Sequence, residues 1–412
     1  MASGSLITVA NITFVGEIAG TIDLVQTESL IQIPFREPGV ISNFCVILAT
    51  NTVNAVSTIR LRKNGANANS VVNPTANTIG YYEDTTHTDT VAAGDLINYQ
   101  LVHGASSGTM TPTVVSFVFN PTNSAITHTK FAVNWGAAVN TATTYSDTFN
   151  GKMHHTTTSI TNNLIKPGIA GVFKHFSLYS SAGGRAITQR LAPNGTDDGV
   201  TRATLASNTT GLNEDSSSSL SISATDTIAE LHVLGASGTS RTPDNFGLSF
   251  ENTGNYFLFL CSQGDGVAFT SNLTRYIAPG GAIVNQTTET NVRPKCRIPF
   301  QISKMYVRTS SNSLNTGTST VTLRKNGADT AIVASIPAGA SGIGAFEDTA
   351  DTVSFLDTDD ISVKLVTSGS SGSMTLNAVM MLAESVLPSI TATSDTKDIL
   401  RPRPLATITN SI

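Results

Sequence analysis

The chain has 412 residues, of which 40% are hydrophobic and only 13% charged, for a net charge of −5. Charge so sparse and scattered, with no basic stripe interleaved with aromatics, argues against direct nucleic-acid binding. Cys45, Cys261 and Cys296 are too few and too irregular for a disulfide framework or a zinc site, and no apolar run has the length of a membrane span.

The amino terminus, MASGSLITVANITF, lacks the basic segment and apolar stretch of a signal peptide, so synthesis in a reducing cytoplasm is expected. The chain then reads as short strands and turns. A first unit, expected over 1–124, gives IQIPF, VISNFCVIL, STIRLRKNG, GYYEDT, GDLINYQLVHG and TVVSFVF. A second, expected over 125–253, gives FKHFSLYS, ITQRLAPNG, GLNEDS, ATDTIAELHVLG and NFGLSF. The third, expected over 254–385, is the clearest: Val321 and Leu323 alternate with Thr322 and Arg324, and Ile361, Val363 and Leu365 share one face. The joints NPTNSA (120–125) and ENTGN (251–255) are short and polar, which predicts closely apposed units. The remainder, 386–412, carries RPRPLA and predicts an extended tail.

Four landmarks keep one order in all three units. Asn-Gly occurs at Asn64-Gly65, Asn194-Gly195 and Asn326-Gly327, offset by 130 and 132 residues. Glu83-Asp84, Glu214-Asp215 and Glu347-Asp348 follow, then Asp95, Asp226 and Asp359, each set offset by 131 and 133 residues. A Gly-Ser turn closes the series at 104–109, 235–239 and 369–373. Asn-Gly between alternating runs is a hairpin signal, because both central positions of a type I′ turn need φ > 0. Units of this length can each bury a core of their own. The expectation is an all-β chain of three tandem antiparallel jelly-roll-like β-sandwich domains. An immunoglobulin-like sandwich ranks second, since its Cys…Trp…Cys signature is absent.

Each polar set admits a functional and a structural reading. The Glu-Asp pair with its downstream Asp offers oxygen ligands for Ca²⁺, yet lacks the spacing of a calcium loop; turn chemistry is the preferred reading. Arg62-Lys63 and Arg324-Lys325 precede two of the Asn-Gly turns, whereas the second unit has Ala192-Pro193. They read as solvated hairpin-tip charges or as partners of an acidic neighbour. The seven histidines recur with no Ser or Cys partner, and His154-His155 reads as a surface pair. Cys45 and Cys261 lie in apolar runs and read as buried free thiols. Tyr81-Tyr82 is an adjacent tyrosine pair on which a sugar platform would rest. No catalytic, cofactor-binding or metal residue is therefore assigned, and no cofactor is expected. A polysaccharide-degrading enzyme would need a carboxylate pair of raised pKa, for which the sequence offers no favourite.

The pattern LRKNG … G-x-x-E-D-T … D-x-I … GxSGxxT resembles β-sandwich modules of tailed-bacteriophage virion structural proteins, which are similar to trimeric jelly rolls of the tumour-necrosis-factor class. In the third unit the resemblance runs through Leu323 to Gly327, Glu347 to Thr349 and Ser371 to Thr375. It implies a virion component, either a capsid decoration or a head or tail fibre, partnered by other virion proteins. It further implies threefold association, as a homo-trimer or as one chain forming a pseudo-trimer. A tail protein that binds a host receptor or surface glycan is the alternative.

Overall fold

The computed structural model describes Glu28 and residues 32–122, 160–241 and 245–386, less positions 106, 181, 237 and 284. Short strands at Ala2–Ser3, Ile12–Val15, Gly20–Thr21, Leu24–Val25, Thr127–Trp135, Thr144–Asp147 and Gly151–Met153 are described by their backbone. Nearly all of the expected tail, His154-His155 and half of the first joint lie outside the described residues.

The third unit shows the topology in full. Its eight main strands are Tyr256–Thr270, Thr274–Ile277, Phe300–Asn312, Thr318–Lys325, Ala328–Pro337, Gly344–Asp348 (continued by Val353–Phe355), Ile361–Val366 and Ser373–Ser385. One sheet has the order first, eighth, third, sixth; the other has second, seventh, fourth, fifth. Neighbouring strands in both run antiparallel, which makes the unit a jelly roll. Residues 2–121 repeat this order through Ala2–Ser3, Met110–Pro121, Gly39–Asn51 and Gly80–Asp84 in one sheet, and Ile12–Val15, Leu96–Val102, Thr58–Lys63 and Ala66–Val72 in the other. Residues 127–252 repeat it again, from Thr127–Trp135 to Asn245–Asn252. The chain is all-β and built of antiparallel jelly-roll sheets, as its alternation requires.

Inward residues of the two sheets meet in one core per unit. In the third, Phe300 stacks on Phe355 with ring centroids 5.1 Å apart, among Val321, Leu323, Val363 and Met381. In the first, Phe44, Leu61, Tyr99 and Val115 fill the same space. Each fully buried Leu or Phe contributes about 1.5–3 kcal/mol. The seventh strands are buried on both faces, as Ile97–Leu101 shows, because the segment linking strands two and three lies over the outer side of that sheet. That segment carries the 3₁₀ turns Ile160–Asn163 and Glu289–Val292.

The outer face of the other sheet is covered by the next unit. Leu258, Leu260, Met380 and Leu382 of the third unit pack with Ile165 and Ile169 of the second. Ile47 and Val114 of the first pack with Ala278 and Val292 of the third. The run AVMMLA is continuously apolar for this reason: Val379 and Met381 face a core, whereas Met380 faces a seam. Near the shared centre, Ala2–Ser3 lies against Gly281–Ala282, Gly20–Thr21 lies against Thr127–Trp135, and Lys152 pairs with Gln263.

Candidate functional site

The recurring polar residues make up the candidate site, and the structure gives each a partner. Asn64 and Gly65 have φ of 51° and 76°, Asn194 and Gly195 52° and 79°, and Asn326 and Gly327 52° and 79°, so all three turns use the left-handed region. Asn64 Nδ2 donates to Asp95 Oδ1 (2.6 Å), while the Leu96 amide donates to Asn64 Oδ1 (2.7 Å). Asn194 clamps Asp226 at 2.9 Å and Asn326 clamps Asp359 at 2.6 Å in the same way. The other oxygen of each Asp accepts a backbone amide, from Ala92, Ser223 or Leu356. Such donors favour the carboxylate. The Ala92 amide holds Asp95 below its usual pKa and the Asn194 side chain does so for Asp226; at Asp359 burial pushes up, but the Leu356 amide, Lys325 and Asn326 together outweigh it. These aspartates fasten the hairpin to the start of the seventh strand.

The Glu-Asp pair divides its labour. Asp84 Oδ1 accepts the amides of Thr86 (3.0 Å) and His87 (3.1 Å), Asp215 Oδ1 those of Ser217 and Ser218, and Asp348 Oδ1 those of Ala350 and Asp351. Burial pushes the Asp84 carboxyl up, but the Val71, Thr86 and His87 donors hold it well below the carboxylate range. At Asp215 the Ser218 and Ser217 donors overcome burial and bring the pKa to about 2. The neighbouring Glu points into a seam. Arg36 of the first unit bridges to Glu214 of the second, Lys166 of the second to Glu347 of the third at 3.0 Å, and Arg297 of the third to Glu83 of the first. The cations come from the segments that lead into each third strand, so the three pairs run round a closed ring. Sequence spacing marked these glutamates but gave no sign that their partners lie in another unit.

The basic pairs are split as well. Arg62 is tied by two hydrogen bonds of 2.8 Å to Glu28, and Arg324 by bonds of 2.8 and 3.0 Å to Glu289. Both guanidinium groups are largely buried, which corrects the reading of solvated tip charges and supports that of acidic partners. Lys63 and Lys325 stay more exposed and donate to the carbonyls of Thr90 and Ser354. In the second unit Ala192 joins Ala229, Leu231, Ile160 and Leu164 in an apolar cluster at the same place.

The remaining candidates are dispersed. Cys45 and Cys261 are buried and free, and burial pushes their thiols up to about 11 and about 12. Tyr81 is packed into the seam with Ile47 and Val114, beneath the Lys295 ammonium, so it offers no platform to a sugar. Tyr82 donates its hydroxyl to the Thr78 carbonyl. His87 pairs with Asp84 at 2.8 Å, and His103 bonds the Ala105 carbonyl at 2.9 Å. A cleft of about 360 Å³ opens where the second and third units meet, lined by Lys166, Lys304, Tyr306, Glu347 and Met380. Its charges are spent locally: Lys166 on Glu347, and Lys304 on the Gly168 carbonyl at 2.7 Å. A second, more open cleft is lined by Tyr82, Asp84, Thr86 and His87, where the Thr86 hydroxyl lies 3.2 Å from His87 Nδ1.

No family model and no curated protein matches the chain. Among solved structures it is similar to a protein from the triple jelly roll fold and turret assembly of an archaeal virus, at 11% identity and a TM-score of 0.19, over 93% of this chain and 90% of that one. It is similar to a chain of Sulfolobus turreted icosahedral virus at 11% identity and a TM-score of 0.18, over 93% and 91%. It is also similar to a chain of infectious bursal virus T=1 particles at 10% identity and a TM-score of 0.15, over 93% and 76%. The jelly-roll assignment rests on the strand order given above and not on these likenesses.

Proposed function

We propose that the chain is a non-enzymatic structural protein of a viral particle, a capsid decoration or head or tail fibre component of the tailed-bacteriophage kind. In this reading its units, 1–124, 125–253 and 254–385, form a single-chain pseudo-trimer. The observation that carries it is the ring of Arg36–Glu214, Lys166–Glu347 and Arg297–Glu83 pairs, in which the recurring Glu of each unit is consumed by contact with another unit. An enzyme concentrates perturbed ionisable groups in a cleft, whereas here the recurring ones hold turns and seams. The sequence resemblance to virion modules points the same way, and exposed loops are left for other virion proteins. The aromatic pair that would favour a host glycan is used elsewhere, Tyr81 in the seam with the third unit and Tyr82 in a bond to the Thr78 carbonyl.

Light scattering on the purified chain tests the assembly: a particle mass near 43 kDa is expected, and three times that mass overturns the single-chain trimer. Imaging particles with and without the gene product tests the location, since unchanged surface density in its absence removes the virion role.

A further inference from the structure

The seam between the first and second units differs from the other two. Apolar clusters join the second unit to the third and the third to the first. At the remaining seam the described contacts are polar: Arg36 on Glu214, and Glu37 facing His175 and Glu251. His175 Nε2 lies 3.2 Å from Glu251 Oε1 and 3.9 Å from Glu37 Oε1, and one ligand atom from each of the three residues falls within 4.8 Å of the others. Ligands about 2.0–2.2 Å from a tetrahedral Zn²⁺ stand roughly 3.3–3.6 Å apart, so a small closure of this triangle makes a site.

We propose that Glu37, His175 and Glu251 bind one divalent first-row cation, with Zn²⁺ as its probe, and that the ion staples the first unit to the second. This rests on the seam geometry and stands whether or not the protein belongs to a virion. One imidazole nitrogen and two carboxylate oxygens suit Zn²⁺ better than Mg²⁺, which prefers an all-oxygen octahedral shell. Lys174 donates to Glu251 Oε2 at 2.8 Å, which fixes that carboxylate and leaves Oε1 toward His175. Among the described residues the ligand set occurs once. The residue equivalent to His175 is Asn43 in the first unit, also at positive φ (51° against 56°) and also one position before the Phe that pairs with the conserved-register Asp. In the third unit it is Lys304, whose ammonium is spent on Gly168. Sequence reasoning assigned no metal residue, and three ligands drawn from two units and three separate segments show no spacing that would have marked them.

The test is a Zn²⁺ titration of the full, chelator-stripped chain by calorimetry, with thermal unfolding in parallel. One equivalent is expected to bind and to raise the Tm, while Mg²⁺ at the same concentration does neither. His175→Asn places at this position the residue the first unit already uses there. It and Glu37→Gln each should weaken Zn²⁺ binding about tenfold or more and remove the Tm increase. Should His175→Asn fail to fold, Glu37→Gln alone decides. His87→Asn, which alters the His87–Asp84 pair, should leave binding intact. Absence of Zn²⁺ binding, or binding that survives both ligand substitutions, or that is lost with His87→Asn, overturns the proposal.

Discussion

The second unit and its two siblings share one strand order yet place their polar residues on opposite sides of the same sheet. In the first unit Ile59, Tyr99 and Leu101 face the core, and in the third Val321, Val363 and Leu365 do. The register puts Gln189, Glu230 and His232 at those positions in the second unit, and all three are fully buried. Gln189 donates to Glu230, His232 Nε2 lies 3.4 Å from Glu230, and the imidazole rests on the Phe246 ring at 3.8 Å. On the outer side the polarity is reversed: Arg62–Glu28 and Arg324–Glu289 in the siblings, Ala192, Ala229 and Leu231 in the second unit. A jelly roll thus tolerates either arrangement, although Gln189 Oε1 and Glu230 Oε2 lie buried with no hydrogen-bond partner among the described residues. Topology is held by turns and ladders, and the residues between the sheets are free to change chemistry.

The strongest way to break this comparison is to move one polar group without its partners. Val363→Glu puts a carboxylate at the third unit's equivalent of Glu230, where Leu323, Leu365 and Met381 offer it no donor. It should cost about 4 kcal/mol or more in urea unfolding. The reciprocal triple change Gln189→Val, Glu230→Val and His232→Leu gives the second unit the third unit's core. It should be neutral or stabilising by about 1–4 kcal/mol, as when a buried ionic group yields to well-packed apolar ones. A similar loss from both constructions would show that the polar triad is required by this fold and is not one of two equivalent solutions.

A smaller effect is expected on the outer face. Glu289 accepts both Arg324 bonds and the Ser362 hydroxyl at 2.7 Å, and these donors outweigh burial to hold its carboxyl below the usual range. Glu289→Ala leaves the guanidinium with Asp329 and the Gly327 carbonyl, and should cost about 2–3 kcal/mol. Arg324→Met with Glu289→Met imitates the apolar cluster of the second unit and should recover most of that loss. A double-mutant cycle measures the coupling, and simple additivity would show that the pair contributes nothing as a pair.

What the sequence made legible follows from locality. A turn needs its special φ within two residues and a strand its alternation within six, so Asn326-Gly327 and Ile361–Leu365 could be read directly. The Asn–Asp clamps were half legible: both residues recurred at fixed spacing, but the bond between them had to be seen. The seams were not legible, because Glu83 meets Arg297 only after both units have folded. The runs that face a seam carried a faint mark. Leu258, Leu260, Met380 and Leu382 interrupt the alternation expected of a strand with one wet face, and that continuous apolar character is what burial on both sides produces.

The smallest effect separates the first unit from the second at the capping aspartates. Asp215 draws its donors from its own turn, Ser217 and Ser218, whereas Asp84 also accepts the Val71 amide at 2.9 Å from a neighbouring strand and pairs with His87. Both folded-state pKa values lie below the unfolded value of about 3.9, that of Asp215 at about 2 and that of Asp84 lower still. A depressed carboxylate contributes stability that is fully present above the unfolded pKa and is lost as pH falls through the folded one. Asp215→Asn and Asp84→Asn should each cost about 1 kcal/mol near neutrality, the usual loss for a capping carboxylate. Between pH 4 and pH 2 the Asp215→Asn deficit should shrink toward zero, because the wild-type side chain is then protonating, while the Asp84→Asn deficit persists to lower pH. Urea midpoints of wild type and both variants across that window carry the measurement. Equal deficits at every pH would mean that the Val71 and His87 contacts do not distinguish the first unit's cap, and the two units would then differ in their cores alone.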